Sequence, residues 1–101
     1  MLIIPTIPVP AQTLTTTLNG QPCKINVVQK STGMFCDLYV NDTLIIGGVI
    51  CEDANRIVRD PYLGFIGDLA FLDTQGSEDP YYTGLGSRWV LAYLEPADLA
   101  A

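Results

Sequence analysis

The chain has 101 residues, of which 49% are hydrophobic and only 16% are charged; this is the composition of one folded domain and excludes an intrinsically disordered chain. Its net charge of −6, from eleven acidic and five basic residues, argues against nucleic acid as a partner, because phosphate binding requires clustered Lys and Arg. The five cations are scattered along the chain, so the sequence offers no basic face for an anionic membrane either.

The N-terminal segment, residues 1–11, is uncharged and contains three prolines. Because proline fixes φ and donates no backbone hydrogen bond, this composition predicts an extended, Pro-rich N-terminal arm, followed by a single β domain over residues 12–101. Two interpretations of the arm stay open. Residues 2–4 can pair as an edge strand that Pro5 ends, and the arm can dock on a neighbouring subunit.

A first β-hairpin is predicted around Asn19-Gly20, a dipeptide that is a strong signal for a two-residue turn. Before this turn, Gln12 to Leu18 alternates leucine with polar residues. After it, Cys23, Ile25 and Val27 define one face of a second strand. The pattern predicts two antiparallel strands that follow one another directly.

Two further strands are predicted in the middle of the chain. Ser31 to Gly33 supplies a turn into the third strand, Met34 to Val40, and Asn41-Asp42 is another hairpin candidate. The fourth strand, Thr43 to Cys51, is apolar on both faces. This predicts a strand buried on both sides, at a closed barrel corner or at a subunit interface, with Gly47-Gly48 permitting a β-bulge.

The last third of the chain predicts two more strands, Phe65 to Asp73 and Arg88 to Leu94, separated by a long loop from Thr74 to Ser87. Loops of this length in compact domains are usually functional or interface segments. No segment of helix length has a convincing 3.6-residue apolar period. The predicted fold is therefore all-β, a small antiparallel β-barrel or sandwich of six to seven short strands built from hairpins.

The chain contains no histidine, so it lacks the usual general base, the Ser-His-Asp and Cys-His nucleophile pairs and most transition-metal sites. Its three cysteines are too widely spaced for a C-x-x-C ligand pair and lie in apolar strand contexts. We expect no metal, no cofactor and buried reduced thiols, which fits assembly in a reducing cytoplasm. These cysteines are Cys23, Cys36 and Cys51.

Carboxylate pairs are the remaining route to catalysis. Asp73 with Asp79, or Asp68 with Asp73, could act as acid and base in a glycosidase. Each of these aspartates lies beside Gly, Pro or Thr, where hydrogen bonding of the carboxylate to the backbone of a turn explains it more simply. The sequence therefore favours a non-enzymatic protein.

Aromatic and arginine side chains near the long loop are of the types enriched at protein interfaces. Tyr81 and Tyr82 are adjacent on extended chain and should face opposite ways, so at least one ring should be exposed. Trp89 is more typical of the core, and Arg88 can pair with an acid such as Glu95. Together with apolar side chains of the arm, the predicted interface residues are Leu2, Ile3, Ile4, Ile7, Val9, Tyr81, Tyr82 and Arg88.

Several short motifs are spread along the chain: Lys30-Ser31-Thr32-Gly33, Asp37-Leu38-Tyr39-Val40-Asn41, Gly48-Val49, Arg56-Ile57-Val58, Tyr62-Leu63-Gly64 and Gly84-Leu85-Gly86-Ser87-Arg88. In these motifs the chain resembles the baseplate plug family of contractile-tailed phages, cyanophage type, from Pro8 through Glu95. The resemblance implies a small β protein without enzymatic activity in the tail baseplate of the virion. It also implies a position close to the hub and spike at the end of the tail tube.

The composition agrees with this implication, because a positive mean hydropathy leaves more apolar surface than one small core can cover. We therefore expect a homo-oligomer or assembly subunit whose partners are the hub, the spike and the end of the tail tube. One alternative is a small β-barrel binding module for a sugar or peptide, with the stacking side chains Tyr62, Tyr81, Tyr82 and Trp89. A less favoured alternative is a carboxylate-based wall hydrolase.

Overall fold

The computed structural model describes residues 1–59 and 61–99, so Asp60 and the last two residues of the predicted domain lie outside it. Short 3₁₀ turns cover Pro61–Leu63 and Tyr82–Gly84, and the helix α1 covers Pro96–Leu99. In the described residues, no helix has the length and apolar character needed to cross a membrane. The strands there are β1 Leu2–Ile4, β2 Ala11–Leu18, β3 Gln21–Lys30, β4 Gly33–Val40, β5 Thr43–Ile50, β6 Asp68–Asp73 and β7 Trp89–Leu94.

The strands form two antiparallel sheets that enclose one core. The larger sheet has the order β2-β3-β4-β5, and the smaller has the order β1-β7-β6. Side chains from both sheets meet in one apolar cluster, in which Ile25 and Leu38 of the larger sheet and Phe71 and Leu91 of the smaller are fully buried. The all-β prediction is confirmed as a sandwich rather than a closed barrel.

Two-residue turns connect the strands of the larger sheet. Asn19 and Gly20 have φ angles of 51° and 76°, and Asn41 and Asp42 have φ angles of 51° and 62°. These are the left-handed values that a type I′ hairpin turn requires. Strand pairing continues directly across both turns, so both hairpins predicted from the sequence are confirmed.

The fourth strand does not lie at a closed barrel corner, and the alternative prediction, a subunit interface, stays a prediction. This strand is β5, an edge of the larger sheet, and Leu44 and Ile50 are 52% and 40% exposed. Its pairing with β4 is interrupted by register shifts. At Gly48, where φ is 65°, the backbone N–H donates to Asp37 Oδ1 at 2.7 Å. The expected bulge is present, and it shapes an exposed edge instead of a barrel corner.

The N-terminal segment begins with a strand. Residues 2–4 pair with β7, where Ile4 is 4% exposed in the core while Leu2 and Ile3 are about half exposed. The edge-strand interpretation is therefore confirmed for these residues. Ala11 already belongs to β2, and the structure does not show an arm that leaves the domain. The division between an arm and a domain at residue 11 stays a prediction.

A methyl group at Gly84 would collide with the core. A Cβ atom built on this residue would lie 2.4 Å from two ring carbons of Trp89. We expect Gly84→Ala to lower the free energy of unfolding by about 1–3 kcal/mol through overpacking, as measured by urea denaturation followed by Trp89 fluorescence. Gly76→Ala is the matched control, because its Cβ would make ordinary contacts of 3.4 Å or more. Equal losses in the two variants would contradict this packing.

Candidate interface surface

The long loop between β6 and β7 is fixed at its base by one ion pair. Arg88 donates from Nε to Asp73 Oδ1 at 2.9 Å and from Nη2 to Asp73 Oδ2 at 2.8 Å. The backbone N–H groups of Gln75 and Glu78 each donate to the same carboxylate at 2.9 Å. The Asp73 side chain is fully covered by these partners, with 0% of it exposed. Bidentate geometry of this kind fixes direction as well as distance.

The ion pair also fixes the charge of the carboxylate. The hydrogen bonds from Arg88, reinforced by backbone N–H groups, hold the pKa of Asp73 well below its usual range. The same bond raises the pKa of the Arg88 guanidinium. A carboxylate that stays ionised throughout the physiological range is unsuited to donating a proton as a general acid.

Arg88 pairs with acidic side chains, as predicted, although Glu95 is not one of them, and the predicted place of Trp89 is confirmed. Arg88 pairs with Asp73 and, at 3.1 Å, with Glu78, instead of pairing with Glu95. Its guanidinium carbon lies 4.6 Å from the centroid of the Trp89 ring. Trp89 is 6% exposed, and its indole N–H donates to the carbonyl oxygen of Glu78 at 3.0 Å. Arg88 is thus an internal clamp, and a role for it at an interface stays a prediction.

The other two aspartates considered for catalysis also bind backbone groups. Asp68 is 3% exposed and accepts the N–H groups of Val58 and Arg59, each at 2.8 Å. Asp79 Oδ1 accepts the N–H of Asp53 at 3.0 Å. These bonds reach backbone groups that are 9 to 26 residues away in the sequence, so they join distant segments instead of closing the predicted local turns. The predicted turn bond is present at Asp73, which accepts the N–H of Gln75 two residues on.

The three cysteines are free and buried, as predicted. A hydrogen bond shared with the Cys51 thiol, together with burial, raises the pKa of Cys36 well above its ordinary value. Burial also raises the pKa of Cys23. Thiols in this state are poor nucleophiles, and in this fold they act as small apolar side chains.

The N-terminal segment lies against the long loop. A Cβ atom at Gly86 would lie 2.5 Å from the carbonyl oxygen of Thr6, so the two backbones approach closely and glycine is required. Pro10, Tyr81 and Tyr82 line one shallow groove of about 560 Å³. We call the exposed and partly exposed members of the predicted set in these two segments the arm–loop surface, which comprises Leu2, Ile3, Ile7, Val9, Tyr81 and Tyr82.

Four of the predicted interface side chains are exposed: Leu2, Ile3, Ile7 and Tyr81, at 50%, 46%, 57% and 49%. Val9 and Tyr82 are partly buried. Ile4 is the exception in the predicted set, because its side chain lies in the core and is not available to a partner. Whether the accessible members form an interface stays a prediction at this point.

The two tyrosines do not face opposite ways, contrary to the expectation for extended chain. Their ring centroids are 4.9 Å apart, with the planes tilted by 39°. The reason is that Tyr82 begins a 3₁₀ turn, which ends the alternation of side chains. The expected exposed ring is confirmed as that of Tyr81.

Sequence reasoning missed a second accessible surface, on the outer face of the larger sheet. Phe35 and Tyr39 are partly exposed there, and the ammonium groups of Lys30 and Lys24 lie 5.2 and 4.5 Å from their ring centroids. These are the only lysines in the chain. The available signal was that their positions in β3 differ by an even number of residues, because side chains an even number of positions apart lie on the same face of a strand.

The family comparison agrees with the resemblance found in the motifs. A family model described as "Cyanophage baseplate Pam3 plug gp18" matches residues 1–96. A comparison with curated proteins gives no match. The matched range contains all the described strands, the long loop and both accessible surfaces.

Asp73 should make stability depend on pH in a defined direction. Its pKa is lower in the folded protein than the ordinary value of 3.8, so its stabilising effect is complete above that value and is lost as pH falls toward the folded pKa. We expect Asp73→Asn to lower the free energy of unfolding at neutral pH and to flatten its decline below about pH 4. Urea denaturation over a pH series measures both effects.

The control for this experiment is Asp98→Asn. Asp98 also has a lowered pKa, caused first by its bond to the N-terminal ammonium, but it lies on the surface and away from the loop. In this variant, the free energy of unfolding should still fall with pH almost as steeply as in the wild type. A decline as steep in Asp73→Asn as in the wild type would contradict the role given to the ion pair.

Proposed function

Because the chain belongs to the cyanophage baseplate plug family, we propose that it is a non-enzymatic subunit that packs near the hub and spike at the end of the tail tube. Family membership implies a structural role in the tail baseplate of the virion. The finer position, at the tube end, rests on what a plug must do. It must occupy the end of a channel and contact the proteins that surround it.

The observation that carries this proposal is the family match together with the arm–loop surface that it includes. Leu2, Ile3 and Ile7 are exposed to about half of their full area, and no described residue covers them further. Apolar side chains that stay exposed on a small domain are typical of a protein interface. In the proposed function this surface binds neighbouring baseplate proteins, while the β-sandwich seals or joins the tube end until contraction.

The structure argues against Asp73 as the acid of a hydrolase and removes Trp89 from the rings that a binding module could use. A carboxylate hydrolase needs one carboxyl group that can donate a proton, whereas Asp73 is held ionised by Arg88. A sugar-binding or peptide-binding module would use exposed aromatic rings; Trp89 cannot serve, because it lies in the core and donates its indole N–H to Glu78, whereas Tyr62 and Tyr81 are 96% and 49% exposed. The assembly role requires neither property.

Ile7 offers a direct test of this function. Its side chain is 57% exposed, while its backbone N–H and carbonyl oxygen are both bound by the Gln12 side chain. We expect Ile7→Ser to stay folded but to enter tails about tenfold less than wild type when the two compete, because burial of an isoleucine contributes roughly 2 kcal/mol. The ratio is measured by mass spectrometry of purified tails.

The matched control is Ile66→Ser, which removes a side chain that is 45% exposed and lies outside the arm–loop surface. It should enter tails as wild type does. Incorporation of Ile7→Ser at the wild-type level would contradict the proposal. A point substitution is sharper than deletion of residues 1–11, because the deletion would also remove β1 and take Ile4 from the core.

A further inference from the structure

Two arginines line one small cavity beside the smaller sheet. Arg56 forms an isolated bridge with Ala70 of β6, and Arg59 follows three residues later in the chain. The cavity has a volume of about 200 Å³. We call it the arginine cavity; its lining includes Arg56, Arg59, Val58, Phe65, Asp68 and Leu99.

Asp68 holds the arginine segment in place without forming an ion pair with either guanidinium. Its side chain accepts the backbone N–H groups of Val58 and Arg59 at 2.8 Å and that of Leu69 at 2.7 Å. Arg59 has a φ angle of 65°, a left-handed value that is uncommon for a residue with a side chain and is concentrated at functional sites. Its Nε donates to the carbonyl oxygen of Arg56 at 2.6 Å, which fixes the direction of this guanidinium.

Neither arginine has an acidic partner in the described part of the chain. The ion pairs there belong to Arg88 and to the N-terminal ammonium. Asp98 precedes Leu99 of the cavity wall, but it pairs with that ammonium at 3.0 Å. The lining thus contains two guanidinium groups and one carboxylate, Asp68, which already accepts three N–H groups. This excess of donors and positive charge favours an added anion.

The size of the arginine cavity restricts the ligand. Its volume of about 200 Å³ is below the range of roughly 300–1,000 Å³ that is typical of small-molecule sites, so it has room for one side chain. Arginine presents its donors in a planar fork that matches a carboxylate. The apolar side chains of Val58, Phe65 and Leu99 in the lining can contact the methylene groups of the same ligand.

We propose that the arginine cavity binds the carboxylate of an acidic side chain from a neighbouring protein of the baseplate. The inserted carboxylate accepts hydrogen bonds from Arg56 and Arg59, and its methylene groups lie against the apolar part of the lining. None of the lining residues belongs to the arm–loop surface, so this is a separate contact. The proposal rests on the proposed function for its setting and deepens it by naming the chemistry of one partner group.

NMR titration of the isolated full-length protein tests this site, with the capped tripeptide Ala-Glu-Ala as the probe. We expect the Nε–H signals of Arg56 and Arg59 to shift and to saturate at roughly millimolar peptide. The capped tripeptide Ala-Gln-Ala has the same shape without the charge and should give no saturating shift. Arg59→Gln should weaken binding of Ala-Glu-Ala about tenfold or more, because it removes one of the two guanidinium groups.

The matched control is Lys24→Gln, which removes the same charge from the outer face of the larger sheet and should bind the peptide as wild type does. The Arg56 side chain is exposed, so Arg56→Gln keeps the test readable if Arg59→Gln folds poorly.

Three results would overturn the proposal: no saturating shift with Ala-Glu-Ala, equal binding of the two peptides, and inorganic phosphate that binds about tenfold more tightly than Ala-Glu-Ala, which would indicate a site for a free anion. The experiment needs no tails. Its failure therefore leaves the incorporation of the protein into tails as an independent question, and failed incorporation would leave this result standing.

Discussion

The bidentate pair between Arg88 and Asp73 is the interaction on which the rest of the surface depends. It joins the end of β6 to the residue before β7, and the same carboxylate binds two backbone N–H groups of the loop. With the loop base fixed, Trp89 enters the core, and the turn at Gly86 meets Thr6. The ion pair thus fixes the loop, and the N-terminal segment, which is held by the pairing of β1 with β7, lies against it. A bidentate pair whose carboxylate is covered has a better defined geometry than an exposed surface pair.

The second constraint is the small size of the domain. Two sheets can bury one face each against the other, but a chain of this length has no third layer to cover the outer faces. Apolar residues on those faces and on the edge strand β5 consequently stay accessible, as Leu44 and Ile50 do. For a free monomer this is a liability, because an exposed edge invites pairing with other chains. In an assembly subunit, accessible apolar residues of this kind are the ones that an interface buries.

Features that depend on a few adjacent residues were predictable from the sequence. The Asn19-Gly20 and Asn41-Asp42 turns follow from local backbone preference, and the core place of Trp89 follows from strand alternation. Features set by distant pairing were not predictable. The apolar fourth strand gives no sign that it is an edge, and Asp73 becomes the partner of Arg88 because β6 pairs with β7 so that Asp73 lies opposite Trp89. The accessible outer face of the larger sheet had a signal, in the spacing of Lys24 and Lys30, but interpreting it required knowing which face of β3 the core covers.

The central claim is that the chain is a stoichiometric part of the tail and acts there by packing. The most direct measurement is quantitative mass spectrometry of intact, washed tails from the phage that encodes it, with the copy number referenced to the spike protein. The account predicts a fixed ratio to the spike that is the same in every preparation. Absence of the protein from washed tails, or a ratio that varies between preparations, would contradict it.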